Sequence, residues 1–65
     1  MHLTVNGEPR TLDAQTVAAL VAALRLDGRK VAVERNLEIV PRSLYGQTAL
    51  AEGDRIEIVQ FVGGG

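Results

Sequence analysis

The chain has 65 residues, 46% of them hydrophobic, and a formal net charge of -1. That length allows one domain of marginal stability and no deep pocket walled by two layers, which counts against a self-sufficient enzyme. The charge balance lacks the basic excess of a nucleic-acid binder, no apolar run is long enough to span a membrane, and the absence of cysteine excludes disulfides, Cys-ligated zinc and thiol nucleophiles.

The chain opens with Met1-His2-Leu3-Thr4-Val5-Asn6, which alternates apolar and polar residues and reads as a half-buried strand. No signal-peptide h-region precedes it, so the expected location is the cytoplasm. Asn6-Gly7 is a strong hairpin signal, because a type I′ turn needs positive φ at both central positions. Glu8 to Leu12 returns as a second strand, and Pro9, which cannot donate to a ladder, places it at a sheet edge.

Thr16 to Leu26 carries helical periodicity, with Val17, Leu20, Val21 and Leu24 on one stripe and Ala18, Ala19, Ala22 and Ala23 supporting helix by propensity. Thr16 is the expected N-cap, with Asp13 a second candidate, and Gly28 fits the left-handed residue that ends many helices. Lys30 to Glu34 is a third strand, turned by Arg35-Asn36-Leu37 into a short fourth, Glu38-Ile39-Val40, which Pro41 stops. Ser43 to Gly53 reads as irregular, anchored by Leu44 and Leu50, and Glu52-Gly53-Asp54 as a turn. Arg55 to Phe61 is the last strand, with Ile56 and Ile58 on one face and Val59 and Phe61 on the other.

The order is β-β-α-β-β-β. It predicts an α+β protein, a single β-grasp domain over residues 1–61 with a mixed sheet and one helix across one face. The helix stripe is expected on Leu3, Val5, Ile56 and Ile58, and the other face is left open around Val59 and Phe61. Tyr45 and Phe61 are the only aromatics, so aliphatic side chains must build the core.

The last strand runs through Val62 into Gly63-Gly64-Gly65. Residues 62–65 read as a flexible tail, with a reach of roughly 13 Å at ~3.3 Å per residue. Such a tail is slim enough to thread a narrow channel into another protein's active site. The Gly65 carboxylate could then react with ATP to give an acyl-adenylate, a good acyl donor to a sulfur or nitrogen nucleophile. Glycines alone leave a second reading open, a frayed end or a tag remnant. Val59, Phe61 and Val62 are candidates for a partner surface. The alternative is that Phe61 covers the sheet end as ordinary core.

The other polar residues carry little chemistry. Arg42 and Arg55 are expected as solvated or weakly paired surface groups. His2 has no ligand-spaced partner, no carboxylates form a catalytic pair, and the glycines outside the C-terminal run do not form a phosphate loop. No catalytic residue and no metal site is expected.

Taken together, the chain resembles the ThiS family, the sulfur carriers of thiamine biosynthesis. The resemblance covers essentially the whole length. It rests on Val5-Asn6-Gly7-Glu8, Thr16-Val17-Ala18, Val31 to Asn36, Ile39-Val40-Pro41-Arg42-Ser43, Gly53 to Val59 and Val62-Gly63-Gly64-Gly65. It implies a ubiquitin-like fold and a role as co-substrate, not enzyme. It implies that an adenylyltransferase related to ubiquitin-activating enzymes, using ATP and Mg²⁺, adenylates Gly65. A sulfurtransferase system then makes the thiocarboxylate, and thiazole synthase accepts the sulfur. Gly63 and Gly64 would give the end access to partner active sites. The rival readings are the small subunit of molybdopterin synthase, a ubiquitin-like protein modifier and a β-grasp regulatory module. The Ile-Val-Pro-Arg-Ser segment and the short chain favour the thiamine member.

Overall fold

The computed structural model describes residues 1–61. Strand β1 (His2–Val5) turns through Asn6 and Gly7, at φ 51° and 81°, into β2 (Glu8–Thr11). These angles are what an Asn-Gly type I′ turn requires. Helix α1 (Val17–Ala23) follows, then β3 (Val31–Arg35), β4 (Glu38–Val40) and β5 (Arg55–Gln60). The five strands form one mixed sheet in the order β2-β1-β5-β3-β4. Only the central β1–β5 pair is parallel. Strand β2, with Pro9 opposite Thr4, lies at the edge as its proline predicts. This is the ubiquitin-like β-grasp.

Alternation in the strands sends Leu3, Val5, Val31, Val33, Val40 and Ile56 to the helix side, where they pack with Val17, Leu20 and Val21 in one buried cluster. Leu20 and Ile56 are completely shielded from solvent. Ile58 is only half-buried and packs against the margin of this cluster.

The helix start is over-determined. Thr16 caps it as expected, its hydroxyl accepting from the Ala19 N–H at 3.1 Å. The Val17 and Ala18 N–H groups, which have no partner within the helix, donate to the carbonyls of Thr48 and Tyr45 at 3.0 and 2.9 Å. Helix and irregular segment therefore fix each other.

Three local expectations need correction. Gly28 does not end the helix; it begins a 3-10 turn over Gly28–Lys30. Arg25 takes the left-handed position, at φ 60°. Its N–H donates to Ala22 O at 2.9 Å and that of Leu26 to Val21 O at 3.0 Å. This is the Schellman pattern, closed three residues early so that Leu26 swings back onto the core. The helix is accordingly shorter than its periodicity suggests. Leu44 is not a core anchor but is exposed; its neighbour Tyr45 is buried, with its hydroxyl donating to Val31 O at 3.2 Å. A 3-10 turn over Arg42–Leu44 rotates successive side chains apart, so only one of the two can point inward. Asp13 is not the helix cap, because Thr16 sits nearer the first turn.

Arg25 occupies a backbone conformation that disfavours any side chain with a β-carbon. Replacing the exposed Arg25 with glycine should raise the unfolding free energy by about 1 kcal/mol in urea titration.

Candidate functional site

Strand β5 carries the sequence towards the glycine segment, so its anchoring defines the site. On one side it pairs with β3 from Arg35↔Ile56 to Val31↔Gln60, and the Phe61 N–H adds a further bond to Lys30 O at 2.8 Å. On the other side β1 offers only Thr4↔Arg55 and Val5↔Ile56 before the chain turns away at Asn6. There the Asn6 side chain continues the ladder. Its Oδ1 accepts from the Ile58 N–H at 2.7 Å and its Nδ2 donates to Ile58 O at 3.2 Å. An amide side chain reproduces the donor and acceptor of a backbone unit, so Asn6 acts as one more residue of β1.

The second tight turn supplies a matching contact at the start of β5. Asn36 Oδ1 accepts from the Arg55 N–H at 2.9 Å, and the Asn36 N–H donates to Arg55 O at 2.8 Å. Asn36 Nδ2 also donates to Asp54 Oδ1 at 3.0 Å. Asp54 is the one charged residue among the described residues that is buried, and its Oδ2 accepts from Arg35 Nε at 2.7 Å and from the Ala51 N–H at 2.8 Å. Burial pushes its carboxyl up; the hydrogen bonds from Asn36, Ala51 and Arg35 outweigh that and hold it below its ordinary value.

The face of β5 turned away from the helix is open. Val59 is 61% and Phe61 53% exposed, so Phe61 does not cover the sheet end as ordinary core. Ala32, directly opposite Val59 on β3, is exposed too. Val59, Phe61 and Ala32 therefore form an apolar patch at the point where β5 ends. Val62, Gly63, Gly64 and Gly65, which complete the sequence-based site, lie outside the described residues.

The remaining polar residues fall where simple surface chemistry puts them. Arg42 Nε donates to Gly28 O at 3.1 Å, and Arg55 is exposed with no ion pair among the described residues. His2 Nδ1 lies 2.6 Å from Glu52 Oε2, and the hydrogen bonds from the His2 backbone N–H and side chain lower the Glu52 carboxyl. Among the described residues no cluster of three His, Asp or Glu is set to hold a metal, and no helix is long and apolar enough to cross a membrane.

The sequence reading missed the structural work of Asn6 and Asn36 on β5 and the burial of Asp54. The signal for the asparagines was present, since each opens a two-residue turn beside a strand end. Nothing in the local pattern marks which strand their amides reach.

Fold and open face define a ubiquitin-like β-grasp protein with an apolar patch at the exit of its central strand. Comparison with known proteins sharpens this. The family model for the ThiS family matches residues 3–65, and the chain belongs to that family. It is 45% identical over 53 residues to the sulfur carrier protein ThiS of Bacillus subtilis, covering 82% of this chain and 80% of that protein. The crystal structure of the thiamine biosynthesis protein ThiS from Geobacter metallireducens superimposes with a TM-score of 0.84 at 39% identity, covering 100% of both chains. The chain is also 59% identical over 66 aligned positions to a thiazole synthase of Paramagnetospirillum magneticum, although it spans only 20% of that relative's length.

The Asp54 network gives a pH signature. The folded-state value is depressed, so its contribution is complete above the ordinary carboxylate value of about 4 and is lost as pH falls through the lower folded value. Urea titrations should show the unfolding free energy declining in that acid window. Asp54→Asn should flatten the decline and cost about 2 kcal/mol at neutral pH.

Proposed function

We propose that this chain is a sulfur carrier for the thiazole ring of thiamine and that its reacting group is the Gly65 α-carboxylate. The observation that carries the reading is the placement of the glycine run. In the sequence it begins two residues after Phe61, beyond a central strand that ends beside an exposed apolar patch. Strand β3 holds that strand as far as Phe61, and β1 with the Asn6 amide holds it as far as Ile58. A partner can seat on Val59, Phe61 and Val62 while Gly63 and Gly64, which carry no side chains, let the chain end pass into its active site.

The chemistry then runs in two displacements. A Gly65 carboxylate oxygen attacks the α-phosphorus of ATP, held with Mg²⁺ by an adenylyltransferase related to ubiquitin-activating enzymes, and pyrophosphate leaves. A hydrosulfide ion supplied by a sulfurtransferase system attacks the acyl carbon and displaces AMP, and loss of its proton leaves a thiocarboxylate at Gly65. The carrier contributes position and an acyl group, and the catalytic groups belong to its partners, so it acts as a co-substrate. Since the chain has no cysteine, sulfur bound to it covalently as a thiol derivative must sit on the C-terminal carbon. The similarity to thiazole synthases supports that enzyme class as acceptor. Such a cycle belongs in the cytoplasm, and it involves neither nucleic acid nor membrane.

The reading requires Gly65 to end the chain in the cell. Intact-mass spectrometry on protein from cells grown without thiamine should show a species ending at Gly65 and heavier by the exchange of one oxygen for one sulfur. Deleting Gly65 should remove it. Recovery of the chain only as isopeptide conjugates would favour a protein modifier instead.

The patch makes a separate prediction. Phe61→Ala should weaken binding to the adenylyltransferase by roughly 30-fold while leaving the urea midpoint nearly unchanged, because Phe61 is half-exposed in the free protein.

A further inference from the structure

The open face extends well beyond Val59 and Phe61. Ile39, on β4, is 77% exposed, and Leu37, in the turn before it, is 88% exposed. Leu37 is the stranger of the two. It stands at φ 71°, in the second position of a turn whose counterpart in the first hairpin is Gly7 at φ 81°. A branched apolar side chain is held there in a disfavoured backbone conformation and is almost wholly in water, so it contributes nothing to this fold that glycine would not supply better. It lines a shallow depression of about 260 Å³ together with Thr4, Gly7, Arg55 and Glu57, on the same open side of the sheet.

A second oddity lies between the two apolar ends. Glu34 on β3 and Glu57 on β5 are direct cross-strand partners on the open face, with Ile39 opposite Glu34 on β4. Like charges placed opposite one another destabilise a sheet. Neither carboxylate has an ion-pair partner within 4.0 Å among the described residues. Two residues along, at the next pair on the same face, Ala32 faces Val59, so the acidic row borders the apolar patch directly. Arg55 lies on the far side of that row.

We propose that the docking face runs from Phe61 across to Leu37 and Ile39, and that its occupant is an apolar protein surface presenting one basic side chain at its centre. The stem of that arginine or lysine lies over Ala32 and Val59, and its head group enters between Glu34 and Glu57. Leu37 packs against the apolar rim beyond. The costs in the free protein, like charges opposed and a strained leucine in water, are both relieved by the same partner. This inference rests on the carrier reading for the identity of the partner and adds the chemistry by which it is recognised.

The test is titration calorimetry of the full chain against the adenylyltransferase and against thiazole synthase, at low and high salt, with urea titration of each variant. Glu34→Gln and Glu57→Gln should each raise the folding midpoint and weaken binding about five-fold at low salt, with the difference shrinking at high salt. Leu37→Gly should likewise stabilise the free protein while weakening binding. Full affinity for both enzymes in all three variants, with the unchanged chain binding and Phe61→Ala failing to bind, would overturn this inference and leave the carrier reading standing. No binding by the unchanged chain would remove both. Self-association strengthened by the glutamine variants would also overturn it, because the glutamates would then serve only to keep copies apart.

Discussion

The apolar patch at the end of β5 depends on how that strand is held. The strand is central, but its parallel neighbour β1 ends early, because the chain must turn at Asn6 to begin the hairpin. The Asn6 side chain closes the gap by giving Ile58 the donor and acceptor that a longer β1 would have supplied. Without it, β5 beyond Ile56 would be held from the β3 side alone. Asn36 does the corresponding work at the other end, where it ties Arg55 into the second turn. Two residues chosen for their tolerance of positive φ therefore also serve as backbone extenders.

The buried charge supports the same strand. Asp54 stands immediately before β5 and collects Arg35, Asn36 and Ala51 around one carboxylate. Taking a charge out of water is costly, and only a full set of partners offsets it. Those partners come from β3, from the turn after it and from the loop before β5, so the ion fixes the relative position of three segments. Together with the helix-capping carbonyls of Tyr45 and Thr48, it leaves the irregular segment little freedom. The body is thus rigid on the side that delivers β5, and its opposite sheet face carries no second layer among the described residues.

Much of this was legible in the residues. Alternation placed Leu3, Val5 and Ile56 in the core and Val59 and Phe61 outside it, because period-two patterns survive tertiary packing. The Asn-Gly turn, the edge position of Pro9 and the Thr16 cap follow from backbone chemistry that is local by nature. What escaped was set by contacts distant in sequence. Nothing near Arg25 announces that the helix must stop there so that Leu26 can reach the core. Leu44 and Tyr45 are equally apolar to a pattern, and only the 3-10 turn decides which faces inward. Of the site, the apolar patch could be anticipated, whereas the amide clamps could not.

The account's central claim is that Asn6 extends β1 so that β5 is held on both sides as far as Ile58. Native-state hydrogen exchange at the Ile58 amide tests this most directly, because the Asn6 carbonyl is the acceptor the structure gives that N–H. The account predicts protection at Ile58 close to that of Val59, and its loss in Asn6→Ala while Val59 stays protected. An Ile58 amide that already exchanges freely in the unaltered protein would contradict it.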